Sequence, residues 1–340
     1  MRLGGRLQAA IEVLSEIETR HRPVPDALKD WGLSHRFAGS GDRAAISNLV
    51  HDALRMKLSH GCIMDGDRPR DLAVATLLRQ WKISPAELVS TLDGDRFAPE
   101  MPDVHTMQAC LQRDLAEAPA HVRADVPEWL TGSFERAFGS GWIEEASALA
   151  ARPPLDLRVN TLMAGREQVL TAFEDRKAHP ARLAPHGVRF EAGEGPERQI
   201  AAASEVSFAR GWFEIQDEGS QIAALLADAK PGMTVIDYCA GAGGKTLALA
   251  AAMRGKGRLF ACDTDGRRLG ELQMRAEGAG IGGMLSYRAL ASGDDPWLAE
   301  HAGAADLVLV DAPCSGIGAW RRSPDARWLL NPERLAEYRA

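Results

Sequence analysis

Apolar residues recur at helical spacing through the first 140 positions. Leu7, Ile11, Leu14 and Ile17 fall on one face, as do Ile46, Leu49, Val50, Ala53 and Leu54. Asp42, after Gly39-Ser40-Gly41, stands where an N-cap for the second helix would be. Strand-like alternation is nearly absent, so residues 1–140 are expected to form a helical domain with loops at Arg22-Pro23 and Asp65-Gly66-Asp67. Arg152-Pro153-Pro154 then punctuates the chain. LDLRVNTL beyond it reads as a strand, GREQVLTAFE as a helix, and VRFE after His186-Gly187 as another strand, which makes 141–205 a small α+β unit. Within 206–340 the pattern turns, from Gly211, to strand–helix alternation. That alternation predicts an α/β domain with a doubly wound parallel sheet. Its strands are expected at 233–240, 257–263, 284–289 (weaker) and 305–311, with helices beginning near Gly244 and Arg267.

Length and composition narrow the class. The 340 residues, 45% hydrophobic and 26% charged, suffice for two or three soluble domains. The longest apolar runs, such as Leu307–Val310, are too short for a membrane span, and glutamates occupy the stretch where a signal peptide needs an apolar core. A cytoplasmic location and no membrane partner are therefore expected. Five cysteines without CxxC spacing read as reduced thiols, with neither a disulfide framework nor a metal site. The net charge of −7 argues against broad nucleic-acid binding and, alone, points to a small-molecule enzyme. A local basic groove remains compatible with it.

DYCAGAGGKT (237–246) lies between an apolar strand and an apolar helix. A phosphate-cradling loop needs glycine at position 239, where this chain has Cys239. A dinucleotide turn needs glycine at position 246, where it has Thr246. The spacing Asp237-x-x-x-Gly241-x-Gly243 instead suits a cofactor without phosphates, whose adenosyl group the glycine backbone can approach. Asp263 ends the second strand, 20 residues past Gly243, where an acid can accept hydrogen bonds from ribose hydroxyls. Asp294, after the third strand, is placed to reach an adenine edge. Glycine turns and strand-end acids occur in every doubly wound sheet, so the ordered set carries more than any member.

The fourth strand ends in Asp311-Ala312-Pro313-Cys314-Ser315-Gly316. In a doubly wound sheet this strand lies beside the first, which brings Asp311 and Cys314 to the cofactor. Pro313 stiffens the loop. A thiol and a carboxylate on a stiff loop suit chemistry on a pyrimidine ring. A thiolate adding to carbon 6 of cytosine makes carbon 5 reactive, while the carboxylate holds the exocyclic amine and N3. A buried, inert cysteine is the commoner fate near a core strand, and the flanking residues weigh against it.

Together these segments resemble the RNA (cytosine-5)-methyltransferases, most closely the bacterial ribosomal-RNA enzymes of the Sun/Fmu (RsmB-like) group. QDEGSQ (216–221), DYCAGAGGKT with Ala242 where proline is commoner, ACDTDGRRL (261–269), DAPCSG (311–316) and RRSPDARW (321–328) carry the likeness. PLDLRVNTL (154–162) is similar to the small domain ahead of the catalytic one, and GSGDRAAISNLVHDALR (39–55) to a NusB-like RNA-binding domain. The resemblance implies a Rossmann-like sheet that binds S-adenosyl-L-methionine through Cys239, Ala240, Gly241, Ala242, Gly243, Gly244, Lys245, Asp263, Asp294 and Asp311. It implies methylation of carbon 5 of a cytosine in small-subunit ribosomal RNA by a monomer, with no DNA partner. The family's nucleophile is a second cysteine in a Thr-Cys-Ser segment, and Cys314 corresponds to the cysteine that assists product release. No Thr-Cys occurs in this chain.

The all-apolar run Leu307–Val310 suits a strand buried between two neighbours, so further strands are expected beyond the four, and the chain is read as C-terminally truncated. A binding reading stands beside the enzyme: an RNA-binding or assembly protein with impaired catalysis that retains cofactor binding. A third reading uses Cys314 itself as nucleophile. Arg321, Arg322, Arg327 and Arg334 can contact phosphates or be solvated and paired with Asp325 and Glu333. Trp328 can stack on a base or belong to a core.

Overall fold

The computed structural model describes residues 1–197 and 199–338. Contacts divide the chain into a helical unit, built from Met1–Pro153 with the segments that begin at Gly193 and Ser315, and an α/β unit built from Pro154–Ala192 and Gln199–Cys314.

In the helical unit, helix Leu3–Arg20 packs on Ser40–Arg55 and Pro69–Arg79. Both expected apolar faces are buried there, with Ile11 at the margin. Burial of this kind stabilises by about 1.5–3 kcal/mol per large aliphatic side chain. Asp42 is not the N-cap. Gly39 holds that position, and Asp42 sits in the first helical turn, its carboxylate accepting from the Gly39 N–H (3.3 Å) and Arg6 Nε (2.9 Å). An acid in the first turn complements the exposed N–H groups as well as a cap would.

The segment from Ser315 closes this unit. Trp320 is fully buried beside Phe134, Trp142 and Leu330. Arg327, also without exposure, lies under the Trp320 ring at 4.8 Å and donates to the carbonyls of Asp125 and Arg55. Trp328 Nε1 donates to the Leu54 carbonyl (2.7 Å), and Arg321 Nη2 to that of Arg152 (3.1 Å). Arg327 is therefore closed to RNA phosphates, and Trp328 takes its core reading.

The α/β unit holds two sheets. Strands β1 (Leu155–Val159), β2 (His179–Pro180), β3 (Gly187–Phe190) and β4 (Phe213–Ile215) form an antiparallel sheet in the order β2-β3-β1-β4. One face of β1 puts Leu157 and Val159 into an apolar core with Phe173 and Phe213. Its other face is polar yet buried. Asp156 there accepts from Nε and Nη2 of Arg189 (2.7 and 2.9 Å) and from the Glu218 N–H (2.9 Å), which satisfies the carboxylate.

Strands β5 (Thr234–Asp237), β6 (Arg258–Asp263), β7 (Leu285–Ala289) and β8 (Leu307–Leu309) form the parallel sheet, in the order β7-β6-β5-β8. All four expected strands are present, and β8 lies beside β5. Helices Gly244–Ala252 and Gly266–Gly278 follow β5 and β6. The apolar run of β8 is not buried on both sides. Among the described residues only β5 pairs with it, and Val308 and Val310 are 52% and 59% exposed. Asn160 Nδ2 ties the two sheets together by donating to the Gly211 and Ala279 carbonyls (3.0 Å each). No helix among the described residues is long and apolar enough to cross a membrane.

Candidate active site

Because β5, β6 and β8 are parallel neighbours, the loops leaving their carboxyl ends converge. They surround a cleft of about 690 Å³, at the place where open parallel sheets bind ligands. Cys239, Ala240, Gly241, Ala242, Gly244 and Lys245 line it from the turn after β5. Asp263 lines it from the end of β6, and Asp311 and Cys314 from the loop after β8.

Two expected residues fall outside this lining. Gly243 has φ +86°, and a Cβ there would stand 2.1 Å from Leu272 Cδ1. Its missing side chain thus serves the seating of the turn on helix Gly266–Gly278. Asp294 is exposed and does not line the cleft; its N–H donates to Ser292 Oγ (3.2 Å). The structural acid of that loop is Asp295. It is 4% exposed and caps helix Pro296–Glu300, accepting from the Ala291 and Trp297 N–H groups and from Arg288. Those backbone and guanidinium bonds hold its carboxyl down at about 2.

The electrostatics of the cleft are built from four carboxylates and two cations: Asp237, Asp263, Asp265 and Asp311 against Lys245 and Arg268. Asp237 is 1% exposed; Thr246 Oγ1 donates to its Oδ2 (2.6 Å), and its Oδ1 has no partner. Burial pushes this carboxyl up to about 6, reinforced by Asp311 and Asp263 and opposed by Thr246 and Lys245. Asp263 accepts the Gly241 N–H on one oxygen (2.8 Å) and the Asp265 N–H on the other (2.9 Å), so its orientation is fixed while each oxygen keeps a free lone pair. Lys245 Nζ donates to Asp311 Oδ2 at 2.5 Å, joining the loops after β5 and β8. Burial, then the acids Asp263, Asp237 and Asp311, push the Cys239 thiol up. Cys314 is exposed.

Sequence reasoning missed Arg268, Tyr238, Thr264 and Leu290, which also line the cleft. The Arg268 guanidinium has no hydrogen bond or ion pair among the described residues, and its Nη2 stands 2.8 Å from where a Cβ on Gly241 would be. A usable signal existed: Arg268 falls in the first turn of the helix that Asp265 caps, immediately past the strand-end acid. Among the described residues no group of His, Cys, Asp or Glu could hold a metal ion.

Residues 224–340 match the family model for the 16S rRNA methyltransferase RsmB/F, and residues 126–194 the RsmF/B-like ferredoxin-like domain. A probable ribosomal RNA small subunit methyltransferase B of Synechocystis sp. is 32% identical over 215 residues, covering 62% of this chain and 46% of that protein. The ribosomal RNA small subunit methyltransferase B of Pectobacterium atrosepticum is 30% identical over 240 residues, 67% of this chain and 50% of that one. The matches thus span about half the length of these curated relatives. Among solved structures, the crystal structure of PH0851 has TM-score 0.70 at 22% identity, covering 99% of this chain and 80% of its own. The crystal structure of NSun6 from Pyrococcus horikoshii with SFG has TM-score 0.51 at 19% identity, covering 63% and 77%. These two establish likeness of fold. Residues 126–194 and 224–340 of this chain thus match, in order, two family models of the RsmB/F methyltransferases.

Proposed function

We propose that this chain holds S-adenosyl-L-methionine in the β5–β6–β8 cleft and serves transfer of a methyl group to carbon 5 of a cytosine in small-subunit ribosomal RNA. The observation that carries the reading is the lining of one cleft by the Cys239–Lys245 turn, Asp263, and the Asp311–Cys314 loop. The charges fit. Four carboxylates against two cations suit a cofactor carrying a sulfonium and an ammonium and repel a pyrophosphate. Asp263 keeps acceptor capacity for ribose hydroxyls. The buried Leu290 offers an apolar wall to a base. Arg268, free of internal partners, offers its guanidinium to the cofactor carboxylate. The cofactor supplies an electrophilic methyl group.

The chain's own residues act on the pyrimidine. Asp311, held by Lys245, orients the exocyclic amine and N3. In the family mechanism a cysteine thiolate adds to carbon 6, which makes carbon 5 nucleophilic. After methylation a base removes the carbon 5 proton, and the electron pair returns to expel the thiolate. The resemblance gives the adding thiolate to a Thr-Cys segment, which these 340 residues do not contain, and gives Cys314 the role of assisting release.

The reading is tested by calorimetric titration of the chain with S-adenosylhomocysteine beside an Asp263→Ala control. Saturable one-site binding, weakened about tenfold or more by the substitution, is expected for a lost charge-assisted hydrogen bond. A folded chain that takes up none would refute the cofactor assignment and leave an RNA-binding assembly role. Incubation with RNA carrying 5-fluorocytidine checks the nucleophile: no covalent adduct is expected. An adduct that disappears in Cys314→Ala would move the nucleophile to Cys314.

A further inference from the structure

The α/β unit contains a second cavity, of about 640 Å³, that methyl transfer leaves unused. It lies at the far end of helix Gly244–Ala252 from the glycine turn. Its wall includes Arg158 of β1, Thr161, His186, Gln221 of helix Glu218–Leu226, and Arg254 beyond the end of helix Gly244–Ala252. Cations dominate it. Arg158 is 6% exposed, and among the described residues its guanidinium makes one hydrogen bond, from Nε to Gln216 Oε1 (2.6 Å); Nη2 is buried without a partner. Glu214, the one carboxylate acting on Arg158, is already paired with Arg275 at 2.6 Å. Arg166 stands beside the cavity, its Nη1 on the Pro185 carbonyl (2.9 Å).

A buried guanidinium with so little compensation is costly unless something else completes it. The field it creates is visible on its neighbours. Burial lowers the His186 pKa, and Arg166 and Arg158 lower it further. Burial likewise pushes Arg158 itself down to about 10. The carbonyls at the end of helix Gly244–Ala252, which would repel an anion, are partly covered: the Gly255 and Arg254 N–H groups donate to those of Ala250 and Ala251 (3.1 and 3.0 Å).

We propose that this cavity binds a phosphoryl oxyanion, gripped by Arg158 and Arg254 with the Thr161 hydroxyl as an additional donor. Gln221 Oε1, buried without a partner, can accept the hydrogen of a monoprotonated phosphate or of an adjoining ribose hydroxyl. A phosphate of an RNA backbone and a free phosphate share this chemistry, and the test separates them.

The 340-residue chain is titrated with inorganic phosphate by ³¹P NMR, with and without S-adenosylhomocysteine, so that failure of the cofactor reading is seen separately. Saturable one-to-one binding is expected. Arg254→Gln, at an exposed position, should weaken it by about tenfold or more, and Arg158→Lys, which keeps the charge but loses the fork, by a similar factor. A short single-stranded RNA is then added. Competition with phosphate, and a salt slope reduced by about one in Arg254→Gln, assigns the oxyanion to an RNA backbone. RNA binding that ignores phosphate assigns it to a free phosphate. Absence of saturable phosphate binding, or binding untouched by both substitutions, overturns the proposal.

Discussion

Replacing Gly243 by alanine should unfold the turn that the cleft depends on, although Gly243 does not line the cleft. At φ +86° an alanine pays the left-handed penalty of about 1–2 kcal/mol. Its Cβ would also stand 2.1 Å from Leu272 Cδ1 and 2.9 Å from Cγ. Leu272 is fully buried in the core of the parallel sheet, so relief requires movement of helix Gly266–Gly278, an overpacking cost of about 1–3 kcal/mol. The sum is about 2–5 kcal/mol. Gly241→Ala is the contrast. Its φ of +55° carries a similar backbone penalty, but its Cβ meets only the head of Arg268, at 2.8 Å, an exposed arm free to swing aside. About 1–2 kcal/mol is expected there, together with weaker S-adenosylhomocysteine binding. Urea unfolding followed by circular dichroism gives both values. A Gly243→Ala protein within about 1 kcal/mol of the parent would refute the packing argument.

Two other predictions concern titration and thiol access. The Asp237 carboxyl moves from 3.8 to about 6 on folding, so its share of stability is complete below pH 3.8 and is lost as pH rises through 6. Asp237→Asn should therefore gain on the parent by about 1.4 kcal/mol as pH rises from 5 to 7.5; equal differences in urea midpoint at the two pH values would refute this. Alkylation of the native chain at pH 8 should reach the exposed Cys62 and Cys314 first. Cys262, fully buried and pushed up to about 12 chiefly by burial, should react only after unfolding. S-adenosylhomocysteine should protect Cys239, and peptide mapping that shows no such protection would count against the cleft as the cofactor site.

Periodicity made much of this structure legible. The helical faces around Leu7 and Ile46 and the four parallel strands are set by local patterns, and the order of strand-end acids placed the cleft. What stayed hidden depends on contacts between distant segments. Gly241 and Gly243 look alike in a sequence, and only the position of Leu272 tells a ligand-facing glycine from a packing glycine. Asp294 and Asp295 are adjacent acids. The Pro296 that follows favours Asp295 as the helix cap. Arginine reads as surface, so the burial of Arg327 under Trp320 and of Arg158 under Gln216 could not be seen from composition. The four apolar residues Leu307–Val310 suggested a strand made for two neighbours and left with one, and Val308 and Val310 are accordingly exposed.

The closure of the helical unit by the segment from Ser315 has a consequence for synthesis. The fold that leaves the ribosome first lacks Trp320 and Arg327, residues that fill its own interior. Between Pro153 and Trp320 the whole α/β unit is translated, which takes roughly 10–30 s at ordinary elongation rates. Throughout that interval the faces around Phe134, Trp142 and Asp125 stand open on the nascent chain, and the first domain to emerge waits on residues made after those of the α/β unit through Cys314.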